Sequence, residues 1–186
     1  AAALFPLFLL AVTIQVAYAL YFFARIFQLP KAVAPHTLTN PVSIIICAKN
    51  EAANLQRNLP AILAQRYANA AGKPMFEVVV VNDASDDDTA RVLESFGKEY
   101  EHLQIVTISK DEARYLPGKK YALGKGVAAA THEYLLMIDA DCMPTSELWL
   151  QKMAGGFADG KEIVLGIGKY EHQAGWLNAF IRWETM

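Results

Sequence analysis

The sequence predicts an α/β protein: a mainly parallel sheet with helices on both faces, preceded by one membrane-spanning helix. Three observations predict it. From Val42 onward, short apolar or β-branched runs of strand length alternate with stretches whose apolar residues recur at helical spacing. Acidic and basic residues stand directly after the strand-like runs, which is the edge where open α/β sheets hold ligands. Leu4 to Leu29 is almost wholly apolar, with Arg25 its one charge, and is long enough to cross a bilayer with some tilt.

The organisation that follows is an anchor over residues 1–29, a linker over 30–41 and a domain over 42–186. Tyr18, Tyr21, Phe22 and Phe23 cluster toward the far end of the anchor, as interfacial aromatics do, and Arg25 and Lys31 follow. Positive flanks place the domain on the cytoplasmic side of the membrane. A cleaved signal peptide is the rival reading, but the stretch is long for one, lacks a basic start and shows no small-residue cleavage pattern before Pro30. A buried soluble helix is the other. Pro30, Pro35 and Pro41 mark the linker. The chain starts with Ala1-Ala2-Ala3 and stops at Met186 within a helical pattern, so a fragment of a longer protein is expected.

Within the domain, Val42 to Cys47 reads as the first strand, and Ala48-Lys49-Asn50-Glu51 closes it. A helix carries Leu55, Leu59, Ile62 and Leu63, with Pro60 expected to break or restart it. Ala70 to Pro74 is a loop. Phe76 to Val81 is the second strand and runs into Asn82-Asp83-Ala84-Ser85-Asp86-Asp87-Asp88-Thr89. The next helix points Val92, Leu93 and Phe96 inward and takes Asp87 or Asp88 as its cap. Helix starts favour aspartate, which accounts for part of this acidic cluster but not for Asp83 on the strand end itself. Leu103 to Ile108 is the third strand. Pro117-Gly118-Lys119-Lys120 opens a helix through Ala122, Leu123, Val127 and Ala130, and a glycine with lysines at a helix start is a candidate anion site, with two merely exposed lysines the rival reading.

Tyr134 to Cys142 is the stretch on which the chain turns. Its apolar run reads as a buried strand that ends in Asp139 and Asp141. In extended backbone, residues two apart share a side, so both carboxylates aim at one point. Paired carboxylates repel unless a proton or cation lies between them, and a hard cation, Mg²⁺ or Mn²⁺, shared with a phosphate meets that need; on spacing alone, two solvated aspartates in a turn are an equal rival reading. Thr145 or Ser146 then caps a helix with Leu148, Trp149 and Met153. Glu162 to Gly168 reads as a further strand, and a last helix from Trp176 carries Leu177, Phe180 and Ile181 on one face.

Bulk properties remove several function classes. The 186 residues carry a net charge of -2 and a pI near 6.1, so there is no basic surface for nucleic acid. Cys47 and Cys142 form neither a disulfide framework nor a zinc pattern, which suits a reducing compartment. His36, His102, His132 and His172 lack ligand spacing and read as surface or loop residues. Tyr115 and Tyr121, near Lys119, read as packing residues, with a place in the pocket lining as the alternative.

Four motifs in order, Ser43 to Glu51, Val81 to Thr89, Gly118 to Leu123 and Asp139-Ala140-Asp141, resemble the family 2 glycosyltransferases of GT-A fold, in their membrane-anchored, processive-synthase-like branch. The resemblance runs from about Pro41 to the end. It implies a nucleoside-diphosphate-sugar donor, usually a UDP-sugar, a saccharide or lipid-linked acceptor, a divalent cation and inversion at the anomeric carbon. Ala48, Asn50 and Glu51 then resemble nucleotide contacts, Ala48 through its backbone, and Asp83 the residue that reads the base. Lys119 resembles the lysine near the diphosphate. Asp139 resembles the aspartate near the ribose or donor sugar and shares the cation with Asp141. Gly124 stands where many relatives carry Asn. The family's general base and its Gln-x-x-Arg-Trp motif are expected beyond Met186. Arg182-Trp183 lacks the Gln at the required spacing.

Three other readings compete. A GT-A-like module without activity would bind nucleotide at the membrane. A nucleotidyltransferase would carry a glycine-rich basic loop where Ala48-Lys49-Asn50-Glu51 stands. An adhesion-type metal motif starting at Asp83-Ala84-Ser85 would want serine where Asp87 lies.

Overall fold

A computed structural model of the chain describes residues 4–27, 40–115, 118–157, 161–166 and 168–184. The chain divides into two compact units, Ala1–Ala34 and Pro35–Met186. Most of the linker reading, with His36 and Pro117, lies outside the described residues. The first unit is the helix α1 (Leu4–Phe27). Its 24 residues extend about 36 Å at 1.5 Å per residue, more than the hydrocarbon thickness of a bilayer. It is long and apolar enough to cross a membrane over Leu4–Arg25.

In the second unit, β1 (Val42–Ala48), β2 (Phe76–Asp83), β3 (Leu103–Ile108) and β4 (Tyr134–Met137) form one parallel sheet in the order β3-β2-β1-β4. The consecutive valines and isoleucines of β1 and β2 are buried on both faces, as parallel strands require. On one face, Ile44, Ile46, Val78, Val80 and Leu136 pack against α2 (Ala52–Leu63), α3 (Thr89–Glu99) and α6 (Trp149–Gly155). On the other, Val81 and Ile108 pack with Ala122 of α5 (Lys119–Ala129). Register sets the functional edge. Ala48 pairs with Asn82, Asn82 with Thr107 and Asp83 with Ile108, so the strand ends lie level. At the opposite end, Glu77 accepts hydrogen bonds from Ser43 Oγ (2.6 Å) and from Thr131 N and Oγ1. Burial pushes its pKa up, but these donors outweigh burial and hold it below the usual carboxylate value.

Several expectations are corrected. Pro60 lies inside α2, which continues for another turn. Proline costs a helix one hydrogen bond, yet Leu59, Ile62 and Leu63 on either side are buried, and that packing holds the helix through it. The strand of the aspartate stretch is shorter than the apolar run and lies at the edge of the sheet, with Leu136 buried and Met137 56% exposed. Glu162 to Gly168 forms no strand among its described residues. No described backbone pairs with it, and Ile163 and Leu165 are 79% and 88% exposed. Neither Thr145 nor Ser146 caps α6 with its side chain. Gln65, two residues past the end of α2, does so, its Oε1 accepting from Leu150 N at 2.9 Å. The short helix α4 (Lys110–Tyr115), which contains no buried residue, has no counterpart in the periodicity. The last helix is α7 (Trp176–Glu184), with Leu177 and Phe180 about half exposed.

Gly126 sets how closely α5 approaches the sheet. A Cβ there would stand 2.6 Å from Ile45 Cγ2 and 3.1 Å from Val81 Cγ2, both on rigid buried β-branched side chains. Gly126→Ala is expected to lower stability by about 1–3 kcal/mol through overpacking, despite the better helix propensity of alanine. Urea denaturation of the two forms measures this.

Candidate functional site

A cleft of about 370 Å³ opens at the carboxyl edge of the sheet. The end of β1 supplies Cys47, Ala48, Lys49 and Glu51, and the end of β2 supplies Asp83. The start of α5 supplies Gly118, Lys119 and Ala122, and the turn after β4 supplies Asp139, Ala140 and Asp141. Six of the seven residues singled out in the sequence, Ala48, Glu51, Asp83, Lys119, Asp139 and Asp141, therefore line one cavity.

Asn50 is the seventh, and it does not line the cleft. It takes a positive φ of 58° beside the cleft, a conformation asparagine tolerates better than most residues. Its Oδ1 accepts from Asp86 N at 2.7 Å, while its own N–H donates to Ser85 Oγ at 3.0 Å. It thus ties the β1 loop to the β2 loop. Asp87 does the same work one position on. Its carboxylate accepts from Thr89 N (2.9 Å) at the start of α3 and from Ala52 N (3.1 Å) at the start of α2. Of the two aspartates expected to cap α3, Asp87 makes the bond, and Thr89 holds its pKa down. Asp86 is paired with Lys110, which likewise lowers its pKa.

The aspartate pair sits in a turn, not in extended backbone. Cys142 N donates to Asp139 O at 3.0 Å, Ala140 is buried and both flanking aspartates are exposed. The turn is held from below by Asn58 of α2, only 1% exposed, whose Nδ2 donates to Ala140 O at 3.0 Å. Gly118, with φ of 106°, enters α5 in a conformation open to glycine, and Lys119 follows. Lys119 Nζ contacts Asp139 Oδ1 at 2.5 Å. This hydrogen bond raises the lysine pKa, and the amine stays cationic. Lys49 Nζ lies 3.8 Å from Asp83 Oδ2. Burial raises the Cys47 thiol pKa, with Lys119 opposing and Asp139 and Asp83 reinforcing, which disfavours the thiolate. Tyr115 and Tyr121 lie outside the lining; Tyr121 Oη instead donates to Glu112 Oε1 at 3.2 Å.

The lining therefore sets four carboxylates (Glu51, Asp83, Asp139 and Asp141) against two ammonium groups (Lys49 and Lys119). Among the described residues, no group of three or more His, Cys, Asp or Glu stands close enough to hold a metal ion by itself. The all-oxygen, carboxylate donor set suits Mg²⁺ or Mn²⁺, which take one or two protein carboxylates and fill the rest of their coordination with water and phosphate oxygen. With four carboxylates against two ammonium groups, this lining repels a bare anion and favours a cation.

Asn58, Gln65 and Lys49 are the contributors that the motif reading missed. For Asn58 the signal was available, since it stands on the apolar face of Leu55, Leu59 and Ile62. A polar residue at such a position must find a partner.

The model of the family described as "Glycosyl transferase family 2" matches residues 43–183. The Glycosyltransferase AglE of Haloferax volcanii is 32% identical over 111 residues, which are 60% of this chain and 33% of the relative. The poly-beta-1,6-N-acetyl-D-glucosamine synthase of Staphylococcus epidermidis is 28% identical over 106 residues, 57% of this chain and 23% of the relative. The chain thus spans a third or less of the length of these relatives. Among solved structures, the mannosyltransferase PcManGT of Pyrobaculum calidifontis, in complex with GDP-Man and Mn²⁺, superposes with a TM-score of 0.63 at 28% identity, over 81% of this chain and 44% of that one.

Asn58→Ala is expected to cost about 1–3 kcal/mol, because it leaves the buried Ala140 carbonyl without its donor. The urea midpoint reports the loss.

Proposed function

Because the chain belongs to glycosyl transferase family 2 and carries its GT-A-type sheet, we propose that it is the donor-binding part of a glycosyltransferase that moves a sugar from a nucleoside-diphosphate sugar, a UDP-sugar by preference, to a saccharide or lipid-linked acceptor. One observation carries the reading: residues from four separate segments meet in one cleft with the charges a cation-bridged diphosphate needs.

In this reading Asp83 accepts from the base, and Ala48 and Glu51 line the nucleoside. Asn50 acts by holding the two loops together. Asp141, with Asp139, holds the divalent cation, and Lys119 stands within reach of the diphosphate. The acceptor hydroxyl attacks the anomeric carbon as the nucleoside diphosphate departs, with inversion. Negative charge builds on the leaving diphosphate, and fixed positive charge at that place lowers the barrier. The cation supplies Lewis-acid stabilisation of that charge when bound. Lys119 supplies a second positive charge, held beforehand by Asp139. We further propose that α1 crosses the bilayer with the domain on the cytoplasmic side. The length and apolar character of Leu4–Arg25 and the basic flank at Arg25 support this.

Asp141→Asn in the full-length protein is expected to lower cation-dependent transfer about 100-fold or more. Turnover equal to wild type would remove its assigned role. Calorimetry with UDP and Mn²⁺ separates a working donor site from a module that has lost it. Lys119→Ala should affect the two ligands in opposite directions. Mn²⁺ alone should bind about two- to fivefold more tightly, since the lysine no longer competes for Asp139. UDP in the presence of Mn²⁺ should bind about tenfold more weakly.

A further inference from the structure

We propose that Lys49 is a specificity residue: with Asp83 it forms a donor–acceptor pair that selects bases with a lactam edge, uracil or guanine, over cytosine and adenine. The inference rests on the donor-binding reading above. Its starting point is an ion pair that the motifs do not require.

Asp83 lies at the end of β2 with its side chain only 8% exposed, and the part left open lines the cleft. Its charged partner is Lys49, at 3.8 Å, beyond hydrogen-bond length. The carboxylate therefore keeps lone pairs for a ligand, and a nearly buried carboxylate strongly favours N–H donors. Lys49 lines the same cleft, its side chain 55% exposed, and carries N–H donors with no acceptor. The spacing lets two neighbouring ring atoms of one ligand reach one group each. A lactam edge offers an N–H beside a carbonyl oxygen: N3–H beside a carbonyl in uracil, N1–H beside O6 in guanine. The N–H donates to Asp83, and the carbonyl accepts from Lys49. Cytosine and adenine present an unprotonated ring nitrogen at that position. It would face the carboxylate lone pair to lone pair, and their amino groups would face the ammonium donor to donor. A site built from buried polar groups rejects such mismatches strongly, because its own groups are left unpaired.

The neighbourhood keeps Lys49 in place. Asn50 and Asp87 tie the loop that follows β1 to the loop that follows β2, and Asp86, also on the β2 loop, is occupied by Lys110. The Lys49 charge also reaches Asp86, but the ion pair Lys49 makes is with Asp83.

The test is calorimetric titration of the protein, in Mn²⁺, with UDP, GDP, CDP and ADP. The wild type, Lys49→Met and Lys49→Arg are compared. The wild type should prefer UDP or GDP over CDP and ADP. Lys49→Met should weaken the preferred diphosphate about tenfold and leave CDP and ADP nearly unchanged, with Lys49→Arg restoring most of the loss. The thiocarbonyl analogue of the preferred base, 4-thiouridine or 6-thioguanosine diphosphate, should bind the wild type more weakly than its parent and bind Lys49→Met equally well. Equal weakening of all four diphosphates by Lys49→Met would overturn the proposal by assigning the lysine to phosphate, and unchanged affinities would overturn it too. If the wild type binds none of the four, the donor-binding reading itself fails, a result distinct from either.

Discussion

The parallel pairing of β1 between β2 and β4 is the constraint on which the site depends. Parallel strands send every carboxyl end to the same edge and every return crossover away from it. With Ala48 level with Asn82, and β4 pairing up to Ile45, the residues just after each strand reach one rim whatever their distance in the chain. Hydrophobic burial drives that pairing, since the central strands are closed off on both faces. Apart from Asp83, which pairs with Ile108, the charged residues of the rim lie beyond the paired strands. They are placed by a core that would form as well without them, which is how a fold carries varied chemistry on a fixed frame.

What the core does not place, α2 does. Its buried Asn58 and, two residues past its end, Gln65 reach across to the Ala140 and Ser146 carbonyls and to Leu150 N, so the helix and the segment that follows it position both the aspartate turn and the start of α6. Its own first turn is joined to α3 through Asp87. These are polar contacts inside or beside an apolar interface. There a satisfied hydrogen bond adds modest stability, and a broken one costs the desolvation of what it leaves behind. They add geometric precision to an arrangement that packing alone would leave loose.

Much of this was legible in the sequence because each strand carries its own local signal. β-branched runs such as Val78 to Val81 need no knowledge of their neighbours to be read, and the rim residues follow directly from where those runs stop. The failures share a different cause: each depends on what a segment meets. Pro60 reads as a break until Leu59, Ile62 and Leu63 are seen to be buried around it. Glu162 to Gly168 has strand composition, but a strand exists only beside a partner. Helix α6 is capped by Gln65, more than eighty residues away, where periodicity points to Thr145 or Ser146. The Lys49–Asp83 pair joins the loop after β1 to the last residue of β2, which no spacing rule connects. The cleft's outline was visible in the sequence; the contacts that hold and tune it are tertiary.

The absent side chain at Gly126 has a consequence for how the cleft answers a ligand. Because α5 lies directly on Ile45 and Val81, with no room for even a methyl group between, the helix is wedged against a rigid surface. Sliding or tilting it inward would require the central strands to yield. The ammonium group at its first residue must then travel by rotation about the bonds of its own flexible stem. Such rotations in exposed residues take picoseconds to nanoseconds, far faster than the rearrangement of packed elements. On the proposed donor-binding reading, exchanging a carboxylate for a phosphate partner on this side of the cleft would be a local event, with the scaffold standing still beneath it.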